Sequence, residues 1–283
     1  MNFIGNSTAK NLLERLAQSI SHVLLVGPSG HGKNTLVERA ARNLVAVKAT
    51  AIQDHNALYA CFKRCSTNST LFIDEIHSLK KDLQESLYDV LDTGQFNRIT
   101  GRGSQKSYEN IPLPKFSIFA ATTKEHELLP PLKNRFIIVR LQTYSFPELV
   151  EMARSKIKAE PEVPMILAEH CRGVPRVLDT LCNMFIKFNF QNSNDAFELI
   201  KMLGIFPQGL TNTEVEILKI LKNPQSLNSL AARMNLEEEV IKEEHEPFLI
   251  YKGLIERSKN GRELTRLGKE YLEKIEPKIL RIF

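Results

Sequence analysis

The sequence predicts an α/β fold with a parallel sheet covered by helices, followed by a small helical domain and a C-terminal winged-helix domain. In the first half of the chain, short apolar runs alternate with segments of helical periodicity, which is typical of a parallel sheet. From Pro147 onward the strand signal stops, and apolar residues recur only at helical spacing. Near Gly209 a third unit begins with three helical segments and then two short extended segments around a turn, which is the element order of a winged helix.

Five strands and five helices are predicted in the α/β part of the chain. Each strand candidate is a short apolar run, and the helical stretches lie between these runs. The predicted strands are His22–Val26, Leu44–Lys48, Thr70–Ile73, Phe116–Ala120 and Ile137–Arg140. The predicted helices are Ser7–Gln18, Lys33–Asn43, Ala57–Cys65, Gln84–Thr93 and Pro131–Asn134.

The changes of pattern set the predicted domain boundaries. We predict an α/β domain over residues 1–145, a helical lid domain over 146–207 and a winged-helix domain over 208–283. Thr211 and Glu214, spaced as Thr-x-x-Glu before an apolar run, form the signature of a capping box at a helix N-terminus. Two further helices, near Leu227–Met234 and Glu237–Leu249, precede the turn Lys259-Asn260-Gly261.

Length and composition exclude several classes of protein. The chain has 283 residues, which fits two or three modules, and its 42% hydrophobic and 25% charged residues are typical of globular proteins. No apolar run approaches the roughly 18 residues of a membrane helix, and the first ten residues lack the basic-then-apolar order of a signal peptide. We therefore expect a cytoplasmic protein without membrane contact.

The four cysteines, at positions 61, 65, 171 and 182, are too sparse for a disulfide scaffold and are predicted to be reduced. Cys61 and Cys65 lie one helical turn apart, so they would form either half of a metal site or two partly buried thiols. The second interpretation is favoured, because small apolar side chains of this kind are usually buried for packing.

A glycine-rich loop follows the first predicted strand and leads directly into a helix. Gly27, Gly30 and Gly32 let backbone N–H groups converge on phosphates, and Lys33 brings a positive charge to the β- and γ-phosphates. The spacing Gly-x-x-x-x-Gly-Lys between a strand and a helix therefore predicts a binding site for ATP.

The position after Lys33 departs from this pattern. A Ser or Thr hydroxyl normally follows the lysine and coordinates Mg²⁺, whereas this chain has Asn34, with Thr35 one place later. The side-chain carbonyl of Asn34 is a hard oxygen ligand in a different position. We expect Asn34 and Thr35 to contact the nucleotide and Asn34 to be a metal ligand. We also expect the nucleotide to bind well and to be hydrolysed slowly.

Two acids, Asp74 and Glu75, end the apolar run that begins at Leu71. A carboxylate at the end of a strand beside a phosphate loop can hold Mg²⁺ through water, and its neighbour can polarise the attacking water. Taken alone, a strand that ends in solvated acids would be the simpler interpretation. The distance along the chain from the phosphate loop favours Asp74 as the metal ligand and Glu75 as the catalytic base.

Five further blocks resemble one protein family, and they occur in the family's order. These blocks are Phe72-Ile-Asp-Glu-Ile-His77, the stretch from Leu113 to Thr123, Pro131-Leu-Lys-Asn-Arg-Phe136, Gly173-Val-Pro-Arg176 and the stretch from Glu246 to Gly253. Over nearly its whole length the chain resembles the RuvB family, the bacterial motors of Holliday-junction branch migration. The resemblance implies an AAA+ ATPase domain, ATP and Mg²⁺ as ligands, a hexameric homo-oligomeric ring, and branched or duplex DNA as substrate in recombination or repair.

The resemblance also implies roles for individual residues. Thr122 or Thr123 would be the polar sensor beside the γ-phosphate, with Thr122 preferred. Arg135 matches the arginine finger, which stabilises transition-state charge at the neighbouring subunit's nucleotide. Arg176 matches the second sensor and Tyr144 a nucleotide-contacting tyrosine. The simpler interpretation of both arginines is a surface salt bridge.

The C-terminal hairpin is the predicted DNA contact. Residues 247–283 hold nine Lys/Arg and five Glu, a net charge of +4, which suits a phosphate backbone. Arg257 and Arg262 match the family's DNA-contacting wing positions, and Lys259 lies in the turn between them. Without the resemblance, a basic surface with no ligand is an equally good interpretation.

Three features depart from the family. The chain starts close to Phe3-Ile-Gly5, so we expect it to lack the preceding segment that helps to enclose the adenine. Asp92-Thr-Gly94 replaces a more acidic and aromatic stretch, and residues 99–112, which match the hairpin that docks the family's junction-binding partner, are polar and basic. Residues 99–112 would dock that partner, but their polar and basic character argues against it.

Two other functions remain open at this point. A loader or remodelling factor that uses ATP as a switch and does not translocate is favoured by Asn34 and by the altered docking segment. A winged-helix transcription regulator is less well supported, because it has no need of an arginine finger together with an acid pair.

Overall fold

The computed structural model describes residues 3–100 and 107–279, which form two compact units. The first unit contains the residues up to Lys158 together with Gly173–Asn183. The second contains Ala159–Arg172 together with the residues from Met184 onward. Each unit has its own core of buried apolar side chains.

A parallel sheet is the centre of the first unit. The strands of this unit are β1 (His22–Val26), β2 (Leu44–Lys48), β3 (Thr70–Asp74), β4 (Gln95–Thr100), β5 (Ser107–Pro112), β6 (Ser117–Thr122) and β7 (Ile137–Arg140). Five of them form the parallel sheet, in the order β2-β3-β6-β1-β7. All five predicted strands are found, and the bounds of β1, β2 and β7 agree to the residue. Leu71 and Ile73 pack in one apolar cluster and Phe72 in another, so both faces of the sheet are covered.

Helices alternate with the strands of this unit, and buried residues of several of them pack on each face of the sheet. They are α1 (Ser7–Leu16), α2 (Lys33–Ala40), α3 (His55–Lys63), α4 (Lys81–Thr93), α5 (Pro130–Lys133) and α6 (Phe146–Arg154), with short 3₁₀ turns at Ala49–Ala51, Ile76–Ser78 and Glu125–Glu127. Helix α3 starts two residues before the predicted position, because Asp54 Oδ1 accepts a hydrogen bond from the N–H of Ala57 at 2.8 Å and caps the helix. Helix α4 ends at Gly94, whose φ of 68° is a left-handed helix end.

Strands β4 and β5 form a separate antiparallel hairpin. Its base is fixed by Phe96, which is buried and stacks on Tyr59 at 5.2 Å and contacts Phe62 edge-on at 5.6 Å between ring centroids. The predicted hairpin at 99–112 is therefore present, starting earlier in the chain than expected. Residues 101–106 of that prediction lie outside the described residues.

The second unit contains the winged helix. Its helices are α7 (Val163–His170), the last residues of α8 (Pro175–Lys187), α9 (Ser193–Met202), α10 (Asn212–Ile220), α11 (Leu227–Met234), α12 (Glu238–Val240), α13 (Glu246–Tyr251) and α14 (Arg266–Ile279). Its strands are β8 (Ile205–Phe206), β9 (Leu210–Thr211), β10 (Ile255–Ser258) and β11 (Gly261–Leu264), and β10 pairs with β11 in an antiparallel hairpin. The predicted order of three helical segments followed by a hairpin is confirmed.

The capping box predicted at the start of α10 is present and includes a buried ion pair. Glu214 Oε2 accepts the N–H of Thr211 at 2.9 Å, and Thr211 Oγ1 accepts the N–H of Glu214 at 3.3 Å. The Glu214 carboxylate is fully buried and also binds Arg172, with Nη1 and Nη2 at 3.0 and 2.8 Å. The Arg172 guanidinium lies 3.8 Å from the ring centroid of Phe248. This cluster joins the segment before the winged helix to its first and third helical segments.

The third helical segment is not the single helix predicted over Glu237–Leu249. After α12 the backbone widens into a π-helical turn at Ile241–His245 and then continues as α13. Pro247, which has no N–H to donate to the carbonyl four residues earlier, lies in the first turn of α13. The turn leaves Glu246 buried, with 1% of the residue exposed.

The helices of the predicted lid, 146–207, are divided between the two units. Helix α6 and most of α8 belong to the first unit, and α7 and α9 to the second. The boundaries 1–145, 146–207 and 208–283 remain predictions. Within residues 3–100 and 107–279, no helix is long and apolar enough to cross a membrane.

Candidate nucleotide-binding site and DNA-binding wing

The glycine-rich loop between β1 and α2 has the backbone conformation that a phosphate cradle requires. Gly30 and Gly32 have φ of 75° and 86°, which side-chain-bearing residues rarely adopt. A Cβ on Gly30 would lie 2.8 Å from Val174 Cγ1, and one on Gly32 would lie 3.2 Å from the Phe3 ring. Helix α2 begins directly after Gly32 without a side-chain cap, so its first N–H groups are free to bind an anion.

A cavity of about 660 Å³ opens beside this loop, and all of its walls belong to the first unit. The volume is in the usual range for a small-molecule site. The predicted residues that line it include Gly30, Gly32, Lys33, Asn34, Thr35, Asp74, Glu75, Tyr144 and Arg176. The structure therefore brings together the predicted phosphate, metal and catalytic residues of the loop and of β3.

Lys33 is buried at the start of α2, and its ammonium group is turned onto the loop. Nζ donates to the carbonyl oxygens of Gly27 at 2.7 Å and Pro28 at 3.0 Å. Burial lowers the pKa of Lys33, whereas the carboxylates of Glu75 and Asp74 raise it. The charge of Lys33 is thus held inside the cradle by backbone oxygens.

Asn34 follows Lys33 on α2, and its side chain reaches the C-terminal end of β3. Its Nδ2 donates to Asp74 Oδ2 at 2.9 Å. The metal-binding role of the Asn34 carbonyl stays a prediction, and the amide nitrogen is the atom that faces Asp74. Thr35, also on α2, is exposed and lines the same cavity.

Glu75 has a backbone conformation that is costly for a residue other than glycine. Its φ of 53° and ψ of 48° lie in the left-handed region, which costs roughly 1–3 kcal/mol for a residue other than glycine and recurs at active sites. Its Oε2 accepts a hydrogen bond from Thr123 Oγ1 at 3.3 Å and lies 3.3 Å from His77 Nδ1. Both the backbone and the carboxylate of Glu75 are therefore held in place.

The structure separates the roles of the two candidate sensor threonines. Thr122 is fully buried, and its Oγ1 lies 3.0 Å from His77 Nδ1 and accepts the N–H of Lys124 at 3.0 Å. Thr123, rather than the preferred Thr122, places its hydroxyl against Glu75. Thr122 reaches Glu75 only through His77. No role was predicted for His77, although its position two residues after Glu75 was the available signal.

Tyr144 and Arg176 complete the cavity. The Tyr144 hydroxyl donates to the carbonyl of His31 at 3.1 Å, and burial raises the pKa of this tyrosine. Arg176 begins α8 beside the loop, and its N–H donates to the carbonyl of Gly30 at 3.3 Å. Lys156 and Asp179 form an ion pair that also lines the cavity. The prediction did not include this pair, which joins residues far apart in the sequence.

Arg135 is not part of the cavity of its own chain. Its Nε lies 2.6 Å from Asp92 Oδ1, and its guanidinium carbon lies 4.8 Å from the centroid of the Tyr88 ring. Hydrogen bonding to Asp92 raises the pKa of Arg135 and lowers that of Asp92. The guanidinium is partly exposed on the surface of the first unit.

The wing arginines share one buried carboxylate. Arg257 and Arg262 face each other across β10 and β11, and their Nε atoms lie 2.8 and 3.1 Å from Glu246 Oε1. The Arg257 side chain is 57% exposed, whereas that of Arg262 is only 18% exposed. Lys259 is exposed in the turn. Arg257 and Lys259 are therefore the accessible cations of the predicted set, and Arg262 is largely committed to Glu246.

The cysteines behave as buried thiols. Cys61 Sγ donates to the carbonyl of Ala57 and Cys65 Sγ to that of Cys61, and burial raises the pKa of Cys65 to about 11. In the described part of the chain, no group of three or more His, Cys, Asp or Glu side chains is arranged to hold a metal ion.

Comparison with known proteins decides the family. Residues 4–141 match the profile described as "Holliday junction DNA helicase RuvB P-loop domain", and residues 207–273 match the "RuvB C-terminal winged helix domain". A relative from Lactobacillus johnsonii, a "Holliday junction branch migration complex subunit RuvB", is 32% identical over 277 residues, which cover 90% of this chain and 81% of the relative. The chain belongs to the RuvB family.

Further relatives agree with this assignment. The Staphylococcus haemolyticus protein of the same description is 30% identical, with 96% of this chain and 90% of the relative covered. The solved structure described as the Thermotoga maritima RuvB Holliday junction branch migration motor is 27% identical, with a TM-score of 0.75 and coverage of 96% of this chain and 95% of that chain. RuvB proteins are P-loop ATPases of the AAA+ fold, so the predicted fold and enzyme class are confirmed.

Proposed function

We propose that this chain is an ATP-driven DNA motor that acts on four-way junctions or duplex DNA as part of a ring. The observation that carries the proposal is the convergence of Lys33, Asp74 and Glu75 on one cavity at the carboxyl edge of the sheet. The family relatives are described as subunits of a Holliday junction branch migration complex. A cavity of this kind, in a chain that also carries a basic wing, supports coupling of ATP hydrolysis to movement on DNA.

The residues of the cavity fit a nucleoside triphosphate with its metal. The glycine cradle and the free N–H groups of α2 would bind the phosphates, with Lys33 and Arg176 adding positive charge. Asp74 would hold Mg²⁺, which when bound screens the phosphate charge and orients the phosphates. Glu75, fixed by Thr123 and His77, would accept the proton of the attacking water.

The position of Arg135 supports a ring as the active form. A guanidinium that lies outside the cavity of its own chain can stabilise transition-state charge only at another protomer's nucleotide. We therefore propose that Arg135 acts in trans, and that the oligomer is the hexamer predicted from the family resemblance.

The wing is the proposed DNA contact. Arg257 and Lys259 are exposed on the hairpin and suit phosphate oxygens, which accept hydrogen bonds from guanidinium and ammonium groups. The hairpin β4–β5 is proposed as the docking site for a junction-binding partner, because its strands project from a buried base at Phe96.

The test is the ATPase rate measured with and without four-way-junction DNA, together with branch migration of a labelled junction. We expect the junction to stimulate ATP turnover and the labelled strands to separate only when ATP is present. Turnover that does not respond to junction DNA, with no strand movement, would contradict the proposal.

A second function is supported by one contact, the hydrogen bond from Asn34 to Asp74. An acid engaged by an amide is less available to a metal, so the chain would use ATP as a binding switch and assemble on DNA without translocating. Oligomers that form on junction DNA with ATP, but leave the labelled strands paired, would favour this function over the motor.

A further inference from the structure

The contact between Asn34 and Asp74 has only one chemically acceptable orientation. An ionised carboxylate can accept hydrogen bonds but cannot donate them, so the group that faces Asp74 Oδ2 at 2.9 Å must be the amide NH₂ of Asn34. The contact links the start of α2 directly to the end of β3, which is where a metal-bound phosphate would lie. The side-chain amide thus occupies one oxygen of the acid that would hold the metal.

An asparagine at this position differs in kind from a serine or threonine. One hydroxyl oxygen can donate to a carboxylate and accept from, or coordinate to, a second group at the same time. In an amide the donor and the acceptor are different atoms on opposite sides of the group, so the atom that contacts Asp74 cannot coordinate a cation. A cation that takes the place of Nδ2 beside Asp74 Oδ2 must therefore displace the amide.

The charge around the cavity reduces the need for a metal. Five Lys or Arg side chains and three Asp or Glu side chains line it, an excess of two positive charges. Lys33 and Arg176 are the cations next to the glycine cradle. Lys33 is the first residue of α2, and the backbone N–H of Arg176 donates to the carbonyl of Gly30. These cations, with the free N–H groups of α2, can neutralise phosphate charge directly.

We infer that Asn34 replaces the divalent cation as the partner of Asp74, so that the site binds nucleotide without metal and Mg²⁺ enters only in competition with the amide. The inference rests on the proposed nucleotide site and specifies how that site is regulated. At low Mg²⁺ the protein holds nucleotide in a metal-free state. At higher Mg²⁺ the amide is displaced, and Asp74 becomes a metal ligand.

The test compares the affinity for a fluorescent ADP analogue in excess Mg²⁺ and in EDTA, for the full chain and for Asn34→Thr. We expect Mg²⁺ to change the affinity of the original chain by no more than about twofold, and to increase that of Asn34→Thr by roughly tenfold. Binding of Mn²⁺ in the presence of ADP, followed by its paramagnetic resonance signal, should be weaker in the original chain than in Asn34→Thr.

Asp74→Asn provides the matched control, because it removes the carboxylate for which the amide and the metal compete. In the double variant Asn34→Thr, Asp74→Asn, the gain from Mg²⁺ should disappear. If the original chain and Asn34→Thr depend equally on Mg²⁺, the inference about Asn34 is wrong, although the nucleotide site stands. If neither protein binds the analogue under either condition, the proposed function fails together with the inference.

Discussion

The guanidinium of Arg135 is bound in a two-pronged contact to the carboxylate of Asp92, with Nε 2.6 Å from Oδ1 and Nη2 2.9 Å from Oδ2. The Tyr88 ring lies against the same guanidinium. Parallel N–H groups and a flat ring restrain a guanidinium more strongly than a single ion pair does. Arg135 is therefore held in one orientation on the surface of its own protomer.

If Arg135 acts on a neighbouring protomer, its removal must affect a site to which it does not belong. We expect Arg135→Ala to lower ATP turnover by roughly 10³-fold without loss of ATP binding, because an arginine finger stabilises only the transition state. ATPase assays and nucleotide-binding titrations measure the two effects. Mixing Arg135→Ala with Glu75→Gln should restore part of the turnover, since each protomer supplies what its neighbour lacks.

Arg140→Ala is the matched control for this experiment. Arg140 is also an exposed arginine bound by a carboxylate, with Nη1 2.6 Å from Glu125 Oε2. Its loss should leave turnover within about twofold, as expected for a surface ion pair. Mixed oligomers that show no recovered activity would argue against action in trans.

Substitution of Thr123 should lower ATP turnover, whereas substitution of Thr122 should lower stability. Thr123→Val removes a hydrogen bond to Glu75 from an exposed site, so turnover should fall roughly 10-fold while thermal stability is unchanged. Thr122→Val removes a fully buried hydroxyl that accepts the N–H of Lys124, so the free energy of unfolding should fall by about 1–3 kcal/mol. Calorimetry and ATPase assays on the two variants separate these effects, and equal losses of activity and stability in both would refute the assignment.

Arg257 should contribute more to DNA binding than Arg262. Arg257→Ala is expected to weaken affinity for all sequences alike and to reduce the slope of log affinity against log salt by about 0.9, the loss of one phosphate contact. Fluorescence anisotropy with duplex DNA at several salt concentrations gives this slope. Lys219→Ala, which removes a cation on α10 paired with Glu216, should leave the slope unchanged.

The effect of Arg262→Ala is expected to be mainly structural. Arg262 is 18% exposed and is bound to buried Glu246, so its removal leaves a buried carboxylate with one partner fewer. The stability of the variant should fall more than its salt slope changes. A full unit of slope lost in Arg262→Ala, with native stability, would place Arg262 on the DNA instead.

Glu246 should make the free energy of unfolding of the second unit depend on pH. Burial alone would raise the pKa of Glu246, but hydrogen bonds from Arg257 and Arg262 outweigh it and leave that pKa below its usual value. A carboxylate with a lowered folded-state pKa stabilises the fold above its unfolded-state pKa, about 4.3, and loses this contribution as the pH falls through the folded-state value. Urea unfolding from about pH 6 to pH 3 measures the loss.

The control for this pH series is Glu246→Gln, which has no charge to lose. The variant should be less stable near neutral pH and should lose less stability on acidification than the original chain. Parallel curves for the two proteins would show that Glu246 does not carry the acid dependence.

The elements of this fold were predictable where a local pattern determines them. Strand β1 and the loop that follows it combine an apolar run with glycines at fixed spacing, and the capping box of α10 depends on residues three apart, Thr211 and Glu214. Helix starts were harder to predict. Helix α3 begins at the polar cap Asp54, which precedes the apolar residues on which the prediction was based. The π-helical turn at Ile241–His245 likewise has no periodic signal.

The candidate site was predictable in its members but not in its contacts. Spacing placed Lys33, Asp74 and Glu75 at one edge of a parallel sheet, and the structure has them there. The sequence spacing does not indicate that the Asn34 amide faces Asp74 or that Thr123 faces Glu75. These residues are far apart in the sequence, and they meet only because the sheet places their strands and loops side by side. The same limit applies to Glu246, whose two arginines lie 11 and 16 residues away.

Gly261 sets the mechanical character of the wing. A Cβ at this position would lie 2.1 Å from the carbonyl oxygen of Gln225, and two backbone hydrogen bonds, of 2.7 and 3.0 Å, join Gln225 to Arg262. The hairpin is thus hydrogen-bonded along one side to the chain that leads into α11 and cannot bend independently of it. A force on DNA bound by this hairpin would therefore be transmitted to α11 and would not be absorbed by bending of the hairpin.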